Sequence, residues 1–298
     1  MNTRLLCLHA RSAIHCGTGQ AIGGIDLPIA REKPTNIPLV PGSSIKGVLR
    51  AIVDDRDDRH AKHGVHIDAF GPRTENASDH AGGLQFGDLR LAFLPVRSAR
   101  GTFAWVTCPY LLRRVARDAK EASCDVGPWQ KLDVSEDRKC LVTPGSRLVT
   151  DRRVAFEDFD FEALESRDLA AVADKLAPLL LDAEDAALLA ARVCVVSDDV
   201  MSVLLLTCTE VTTRIRLDPD KKTVEKGALW TEEALPVESL LVGVVVAAPV
   251  GKRSSASQMF THLAWLLDQQ GGALQVGGDA TVGRGVCRAR LVGTKGAP

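Results

Sequence analysis

Two strand–helix–strand patterns, one toward each end of the chain, constrain the fold of these 298 residues more than any other feature. In each pattern an amphipathic helix lies between two apolar or alternating runs: 4–14, 41–52 and 82–96 at the front, and 240–248, 254–270 and 286–292 at the back. Each helix has to cover a face of the sheet that its strands form. The two units together predict an α+β chain with a ferredoxin-like β-α-β-β-α-β core.

The remaining segments are predicted to be insertions on this core, within a single domain of residues 1–298. The assignment is as follows: core residues 1–54, 82–110 and 237–293, and inserted residues 55–81 and 111–236. The second insertion is expected to hold an irregular stretch over 118–160, two helices over 161–191 broken near Pro178, and a strand over 194–209. Alternating runs on both sides of the Asp218–Lys222 turn predict a long hairpin over 210–231.

The helix that begins after Pro41 carries residues suited to a phosphate chain. Its first turns combine hydroxyls that can cap free N–H groups, two cations four residues apart and a residue without a side chain: Ser43, Ser44, Lys46, Arg50 and Gly47. Free N–H groups and cations at a helix start bind phosphates. The alternative is an ordinary capped amphipathic helix with a solvated Lys-Arg face.

A glycine-rich loop over 17–24 leads to an acidic residue, Asp26. Four glycines in eight positions let the backbone take positive φ or approach a ligand closely. The residues alone leave three roles open for Asp26: capping a turn, pairing with Arg31, or serving a functional site.

A second glycine-rich loop, over 277–285, superficially fits the phosphate-binding pattern G-x-x-x-x-G. Arg284 and Gly285 stand where a nucleotidase needs Lys and Ser or Thr, so the sequence excludes that class of enzyme. A glycine loop with one arginine can instead cradle a polynucleotide backbone. The alternative is a tight connection between secondary-structure elements.

A group of histidines and aspartates follows the front helix: His60, His63, His66, His80, Asp68 and Asp79. Histidines three apart on a helix can share a metal ion. The spacing matches no strong zinc signature, so a hydrated insertion is the alternative and the metal ligands stay unassigned.

The composition limits the possible functions. A net charge of −1 means that nucleic-acid binding has to rest on local patches, and a single Tyr argues against base stacking as the main contact. No leader opens the chain and no apolar run approaches the ~20 residues of a membrane span, so we expect a cytoplasmic protein without membrane contacts. The eight cysteines include no Cys-x-x-Cys pair and are expected to be buried free thiols.

Several motifs in the same order resemble the RAMP proteins of type III CRISPR effector complexes. They are His15-Cys16-Gly17-Thr18-Gly19, Ile25-Asp26-Leu27-Pro28-Ile29 and Pro41-Gly42-Ser43-Ser44-Ile45-Lys46-Gly47. Two more resemble the repeated backbone subunit of the type III-B (Cmr) complex: Pro95–Ser98 leading to Gly101–Pro109, and Gln275–Gly278 followed by Gly283-Arg284-Gly285.

The resemblance implies a modified RNA-recognition-motif-like fold with a helical insertion and a projecting hairpin, the thumb, within 195–236. It implies a backbone subunit of a CRISPR RNA-guided RNA-silencing complex in antiviral defence, whose copies stack into a helical filament. The partners would be CRISPR RNA, target RNA, copies of the chain itself and other Cmr subunits. Each copy would cleave the paired target RNA endonucleolytically.

The resemblance also implies site residues. The family's catalytic aspartate lies in the loop after the first strand, where this chain has Asp26. His15 matches a family position near the cut site and could transfer protons or be structural, and Glu232 or Glu233 is a third candidate. The RNA backbone is expected to contact the front helix and the second glycine loop through Ser43, Ser44, Lys46, Gly47, Arg50, Gly277, Gly278 and Arg284. A divalent cation, Mg²⁺ or Mn²⁺, is expected for cleavage, with none tightly bound.

Two alternatives remain. One is an RNA-binding scaffold in which Asp26 only shapes its loop. The other is a stand-alone ribonuclease that processes CRISPR RNA with His15 as base. The match over 97–109, which is to the backbone subunit, disfavours the second alternative.

Overall fold

The structure is a computed structural model, and it describes residues 2–19, 24–53, 63–72, 74–76, 78–251 and 253–293. The strands within these residues are β1 Asn2–Ala10, β2 Leu39–Val40, β3 Leu84–Phe86, β4 Leu89–Arg97, β5 Phe103–Thr107, β6 Lys139–Val142, β7 Arg153–Phe156, β8 Phe159–Glu165, β9 Val193–Val195, β10 Glu210–Leu217, β11 Val224–Ala234, β12 Leu240–Ala247, β13 Ala273–Gln275 and β14 Val286–Val292.

The helices in the same residues are α1 Gly42–Ala51, α2 His63–Phe70, α3 Pro109–Glu121, α4 Arg167–Leu180, α5 Ala183–Arg192, α6 Asp198–Thr207 and α7 Ala256–Gln269. Short 3₁₀ turns occupy Thr74–Asn76, Trp129–Lys131 and Ala280–Val282. Within the described ranges, each helix is too short or too polar to cross a lipid bilayer.

The centre of the large sheet has the strand order β14-β1-β12-β4. Neighbouring strands in this set are antiparallel. Helix α1 lies in sequence between β1 and β4, and α7 lies between β12 and β14. This order and connectivity are those of a β-α-β-β-α-β ferredoxin-like core, so the predicted α+β fold class is confirmed.

Both faces of the sheet are covered. Leu6 and Leu8 of β1 point into one core, which also receives residues from α1, α6 and α7. Leu5 and Cys7 of the same strand point into a second core with α3, α4 and α5. Successive strand residues alternate between faces, so β1 is apolar on both sides and buried in the middle of the layers.

The segment 111–236, predicted to be an insertion, adds β6 to β9 to the sheet beyond β5, in the order β5-β9-β6-β8-β7. Strand β9 pairs with β5 in parallel and with β6 antiparallel. Three of these strands fall within or begin in the stretch 118–160, so the prediction of irregular chain there was wrong.

Two other assignments in this segment were wrong. Residues 194–209 form the end of β9 and then helix α6, because the hydroxyl of Ser197 accepts a hydrogen bond from the backbone N–H of Val200 and starts a helix. Residues 161–165 belong to strand β8. Two helices do follow, but Pro178 lies inside α4, and the break comes after Leu180, where the chain becomes extended at Leu181 and Asp182.

The predicted hairpin is present as β10 and β11, which form a separate two-stranded sheet. One of its faces carries half-exposed aliphatic side chains: Val211, Ile215, Leu217, Val224 and Leu229. The other face carries polar and charged groups such as Thr212 and Arg214. The hairpin therefore projects with one apolar and one polar face.

The cysteines are free thiols, as predicted. Six are buried, and Cys124 and Cys208 are half-buried. Burial raises the pKa of the Cys7, Cys16 and Cys287 thiols to about 12, so these groups stay protonated and unreactive near neutral pH.

Glu32, a half-buried carboxylate in the segment that follows β1, attaches this segment to strand β4 and to helix α3. It accepts two hydrogen bonds of 2.5 Å from the Arg114 guanidinium, one of 2.7 Å from Arg90 Nε and one of 2.7 Å from Thr35 Oγ1. Its side chain is 16% exposed. Chiefly because of the hydrogen bonds from Arg114, the pKa of Glu32 falls to about 2.

We predict that Glu32→Gln lowers the free energy of unfolding by about 3 kcal/mol at pH 7. This is the energy that corresponds to a fall in the pKa of Glu32 from about 4.3 in the unfolded chain to about 2 in the folded protein. Because the pKa of Glu32 is lower in the folded protein than in the unfolded chain, its contribution to the free energy of unfolding is complete at pH values above the unfolded pKa. It disappears as pH falls from about 4.3 to about 2. Denaturant titrations across this range should show the two proteins converging in stability at acid pH.

The matched control is Glu136→Gln, which removes an exposed carboxylate that Lys139 contacts at 2.7 Å. An exposed pair contributes little, so this variant should keep almost the full stability. Equal losses in the two variants would contradict the role given to Glu32.

Candidate functional site

The loop that carries Asp26 runs along the outer edge of the hairpin. Leu27 pairs with Glu232 in a parallel bridge. Its N–H donates to the carbonyl of Thr231 at 3.0 Å, and its carbonyl accepts from the N–H of Glu233 at 2.9 Å. Strand β11 is thus flanked by β10 on one edge and by residues near Leu27 on the other.

Asp26 is exposed and is held by Thr231. Its Oδ2 accepts hydrogen bonds from the backbone N–H of Thr231 at 2.8 Å and from Thr231 Oγ1 at 3.0 Å. The N–H of Asp26 donates back to the same hydroxyl at 3.0 Å. In the described part of the chain, Oδ1 has no hydrogen-bond partner. The carboxylate is therefore fixed through one oxygen and offers the other.

The possible pair between Asp26 and Arg31 does not form, because Arg31 binds Glu233. Arg31 Nη2 lies 2.5 Å from Glu233 Oε1, which also accepts from Thr209 Oγ1 at 2.9 Å. Oε2 of Glu233 accepts the N–H of Ile29 at 3.1 Å. Glu233 is buried, and both of its oxygens are engaged, so it joins the Asp26 loop to the base of the hairpin.

Glu232 points to the other face of β11 and is also buried. It accepts hydrogen bonds from Trp230 Nε1 at 2.8 Å and from Arg214 Nε at 3.0 Å. Burial acts to raise the pKa of Glu232, but these donors and the charges of Arg214 and Arg284 hold it below its usual value. Arg284 itself is buried, with Nε 3.9 Å from the carboxylate.

His15 lies beside this network, five residues past the end of β1. Its Nδ1 is 2.6 Å from the carbonyl of Glu233. A carbonyl only accepts, so Nδ1 carries the proton, and in the neutral ring Nε2 is the basic atom. Gly17 packs directly against Nε2, where a side chain would displace the ring.

The second glycine loop packs on the same residue. The N–H of Gly278 donates to the carbonyl of His15 at 2.8 Å, and a side chain on Gly277, which has φ of 87°, would collide with that carbonyl. The loop therefore needs glycine in order to pack on the chain at His15. His15, Asp26, Glu232, Glu233 and the 277–285 loop, far apart in sequence, meet at the base of the hairpin.

The front helix begins differently from the prediction. Ser43 and Ser44 do not cap α1, because the helix starts at Gly42, whose N–H donates to Asp88 Oδ1 at 2.9 Å. Gly42 lies so close to the carbonyl of Phe86 that a side chain would not fit. A carboxylate therefore occupies this helix start and disfavours a phosphate there.

The charged face of α1 is only partly available. Arg50 Nη2 donates to the carbonyl of Pro72 at 3.0 Å, which fixes that guanidinium on the neighbouring loop. Lys46 is half-buried and has no ion pair in the residues that the structure describes. The space beside Gly47 is open to at least 4 Å. Lys46 and Gly47 thus form the accessible part of this surface.

The histidine and aspartate group does not assemble a metal site in the described ranges, where no three metal-ligating side chains come together. His66 Nδ1 is 2.9 Å from His262 Nε2, and Asp68 accepts from Ser254 Oγ at 2.7 Å. His80 Nε2 lies 3.8 Å from Asp68. These contacts attach α2 to α7 and the preceding turn. His60 and the side chain of His63 lie outside the described residues.

Sequence reasoning missed the residues that orient the site. Thr231, Arg31 and Arg214 act on Asp26, Glu233 and Glu232 across separations of 205, 202 and 18 residues. The alternation of polar residues in the hairpin indicated an exposed polar face, but it did not show which loop would pair with its edge.

The core topology, the helices on both sheet faces and the projecting hairpin define a modified ferredoxin-like protein. A family model described as the RAMP superfamily matches residues 7–288. The chain is 30% identical over 297 residues to the CRISPR system Cmr endoribonuclease Cmr4 of Pyrococcus furiosus, covering 98% of this chain and 96% of the relative. The chain therefore belongs to the RAMP superfamily, which confirms the resemblance seen in the motifs.

Solved structures show the same fold. Oligomeric Cmr4 from Pyrococcus furiosus superposes with a TM-score of 0.72 at 24% identity, over 99% of this chain and 100% of that one. A chain of the type III-B Cmr-beta complex bound to cognate target RNA gives a TM-score of 0.74 at 21% identity, over 98% and 97% of the two chains.

We predict that Glu233→Gln loosens the base of the hairpin. Loss of the buried charge beside Arg31 should lower the free energy of unfolding by about 3 kcal/mol, because it leaves a guanidinium without its ion pair. Hydrogen exchange at the amides of Ile29 and Glu233 should accelerate. The control Glu225→Gln, in the more exposed pair with Arg216 at 3.8 Å, should melt like the unaltered protein. Unchanged melting and exchange in Glu233→Gln would contradict this role.

Proposed function

We propose that this chain is the repeated backbone subunit of a CRISPR RNA-guided RNA-silencing complex of the type III-B kind, and that it cleaves the paired target RNA. The observation that carries the proposal is the near full-length similarity to a Cmr endoribonuclease, and it is supported by an oriented, exposed Asp26 in the loop where the motif resemblance implies the family's aspartate. Its partners are CRISPR RNA, target RNA, further copies of the chain and other Cmr subunits, in the cytoplasm.

The reaction is transesterification within the target strand. A ribose 2′-oxygen attacks the adjacent phosphorus, the bond to the 5′-oxygen breaks, and a cyclic 2′,3′-phosphate and a 5′-hydroxyl result. One proton leaves the 2′-hydroxyl and one is delivered to the leaving 5′-oxygen. Positioning, proton transfer and charge stabilisation each lower the barrier of such a step.

Asp26 is the catalytic residue in this proposal. Thr231 fixes Oδ2, so Oδ1 is presented to a bound strand with little orientational freedom. This oxygen either accepts the proton of the 2′-hydroxyl or binds a cation that contacts the phosphate. His15, through Nε2, is the second proton-transfer candidate, and Glu233 holds its ring through Nδ1.

The residues fit a weakly held divalent cation. Mg²⁺ is commonly bound by one or two carboxylates together with substrate phosphates. Asp26 has one carboxylate oxygen without a partner in the described chain and would hold the ion jointly with RNA. A cation there would neutralise charge that develops on the phosphate.

Glu232 and Glu233 act as positioning residues in this proposal, because donors already occupy their carboxylates. Lys46 and Gly47 supply the phosphate contact on α1, with Ser43, Ser44 and Arg50 beside them. Gly277, Gly278 and Arg284 form the second RNA-binding segment, next to His15.

One observation fits the scaffold alternative equally well. The hydrogen bonds between Asp26 and Thr231 are what a purely structural aspartate would also make. The two functions differ in whether the charge of Asp26 matters once RNA is bound.

We predict that Asp26→Asn preserves binding of CRISPR RNA and target RNA while cleavage within the paired region slows by about 10²–10³-fold. Asn keeps the shape and can still accept hydrogen bonds from Thr231, but it loses the negative charge. Single-turnover cleavage of labelled target by the assembled complex measures the rate, and a gel-shift titration measures binding.

The matched control is Asp174→Asn, an exposed aspartate on α4 that should leave the rate unchanged. Chelation of divalent cations should reproduce the Asp26→Asn phenotype in the unaltered protein, and added Mg²⁺ or Mn²⁺ should restore cleavage. A normal rate in Asp26→Asn would replace the catalytic assignment with the scaffold function.

We predict that Lys46→Gln weakens binding of unrelated RNA sequences about equally and lowers the slope of log affinity against log salt by about 0.7 to 1, because a phosphate contact carries no sequence information. Anisotropy titrations with two unrelated oligonucleotides at several salt concentrations give both quantities. Lys33→Gln, an exposed lysine in the loop before β2, is the control. A loss confined to one sequence would refute the phosphate contact.

A further inference from the structure

An open groove of about 730 Å³ lies between the outer face of α3 and the segment that follows this helix. Three cations spaced at i, i+4 and i+7 form one rim: Arg113, Arg117 and Lys120. Two buried apolar residues, Ala116 and Val126, also line the groove, together with Trp129 from the segment that follows the helix. We call this feature the α3 groove.

The α3 groove is strongly positive. In the described ranges, Arg113 and Lys120 are exposed and make no ion pair, and Arg117 is 63% exposed with its Nε 3.6 Å from Asp118. Among the described residues of the lining, Asp125 is the one acidic side chain, and Lys175 contacts it at 3.1 Å. A row of three exposed cations, of which only Arg117 has an acidic neighbour among the described residues, attracts a polyanion and raises its local concentration.

The α3 groove is separate from the site at the base of the hairpin. Helix α3 packs on the sheet face opposite α1, in the second core. The C-terminal end of α3 lies against Gly293, the residue that follows β14. The end of β14 pairs with the N-terminal half of β1. His15 and Asp26 follow the other end of β1.

We propose that the α3 groove binds the backbone of single-stranded RNA as a second, sequence-independent contact. Arg113 and Lys120 are about 10 Å apart along the helix axis, which equals about three phosphates of a stacked strand. Trp129, half-buried against the second core, lines the same groove, and a cation row with an aromatic side chain is the combination used by proteins that bind single strands.

An acidic protein segment is the competing occupant. Protein partners anchor through large side chains seated in pockets at the centre of an interface. The lining of the α3 groove has three cations and a single aromatic side chain, Trp129, rather than a cluster of apolar pockets, so a nucleic-acid strand matches it better.

The test measures binding of a fluorescein-labelled 12-nucleotide oligouridine to the full chain by anisotropy at several salt concentrations. Arg113→Gln with Lys120→Gln should weaken binding about tenfold near 0.1 M salt and lower the salt slope by about 1.4, which corresponds to two phosphate contacts on a single strand. Trp129→Leu should weaken binding about tenfold without changing the slope.

The matched control is Arg97→Gln with Arg100→Gln, which removes two exposed arginines, one at the end of β4 and one in the turn that follows it, and changes the net charge equally. If the groove variants bind like this control, the proposal is overturned. It is also overturned if polyglutamate, at equal charge concentration, displaces the oligouridine as well as unlabelled RNA does. This test measures binding of oligouridine and depends neither on cleavage nor on Lys46. Its result therefore stands even if the proposed guided cleavage is refuted.

Discussion

The buried carboxylate of Glu233 is the contact on which the geometry of the site depends most. Its oxygens accept from Ile29, Arg31 and Thr209, and its backbone carbonyl accepts from His15. A buried charge costs several kcal/mol unless it is paired and hydrogen-bonded, and the donors to this carboxylate come from two separate segments, while His15, from a third, holds the backbone of the same residue. One arrangement of loop, hairpin and strand end satisfies it, so Glu233 specifies where the hairpin leaves the core.

The two-sided core decides where ligands can bind. In an open RNA-recognition sheet one face stacks bases, but here helices α3, α4 and α5 cover that face with a second apolar cluster. The proposed binding surfaces are consequently at loop ends, on the hairpin and on the outer faces of helices. This agrees with the near-neutral net charge, since small local patches replace one broad basic surface.

The two strand–helix–strand units at the front and the back of the chain could be predicted, because the sequence patterns that mark their helices and strands are local. Helix α7 starts at a capping box formed by Ser255 and Gln258, and its apolar periodicity is regular. The run 194–209 misled the prediction, because aliphatic residues continue from β9 into α6 without a break in hydrophobicity. The boundary is marked only by Ser197 and the two aspartates after it, a helix-start signal outweighed by the β-branched residues around it.

A sequence motif identifies Asp26 as a candidate site residue. The same motif contains no signal for Thr231, the residue that holds the Asp26 carboxylate. Thr231 lies 205 residues away on a strand whose edge could in principle pair with any neighbouring segment. Such pairing is decided by tertiary packing, here by Glu233 and by the hydrogen bonds of Leu27 with β11. Since β11 orients Asp26, a ligand that displaces the hairpin also displaces the carboxylate. If RNA binds against the hairpin, as proposed, its contact with β11 and the position of Oδ1 are linked, and a strand that leaves the hairpin in place meets a carboxylate already oriented for it.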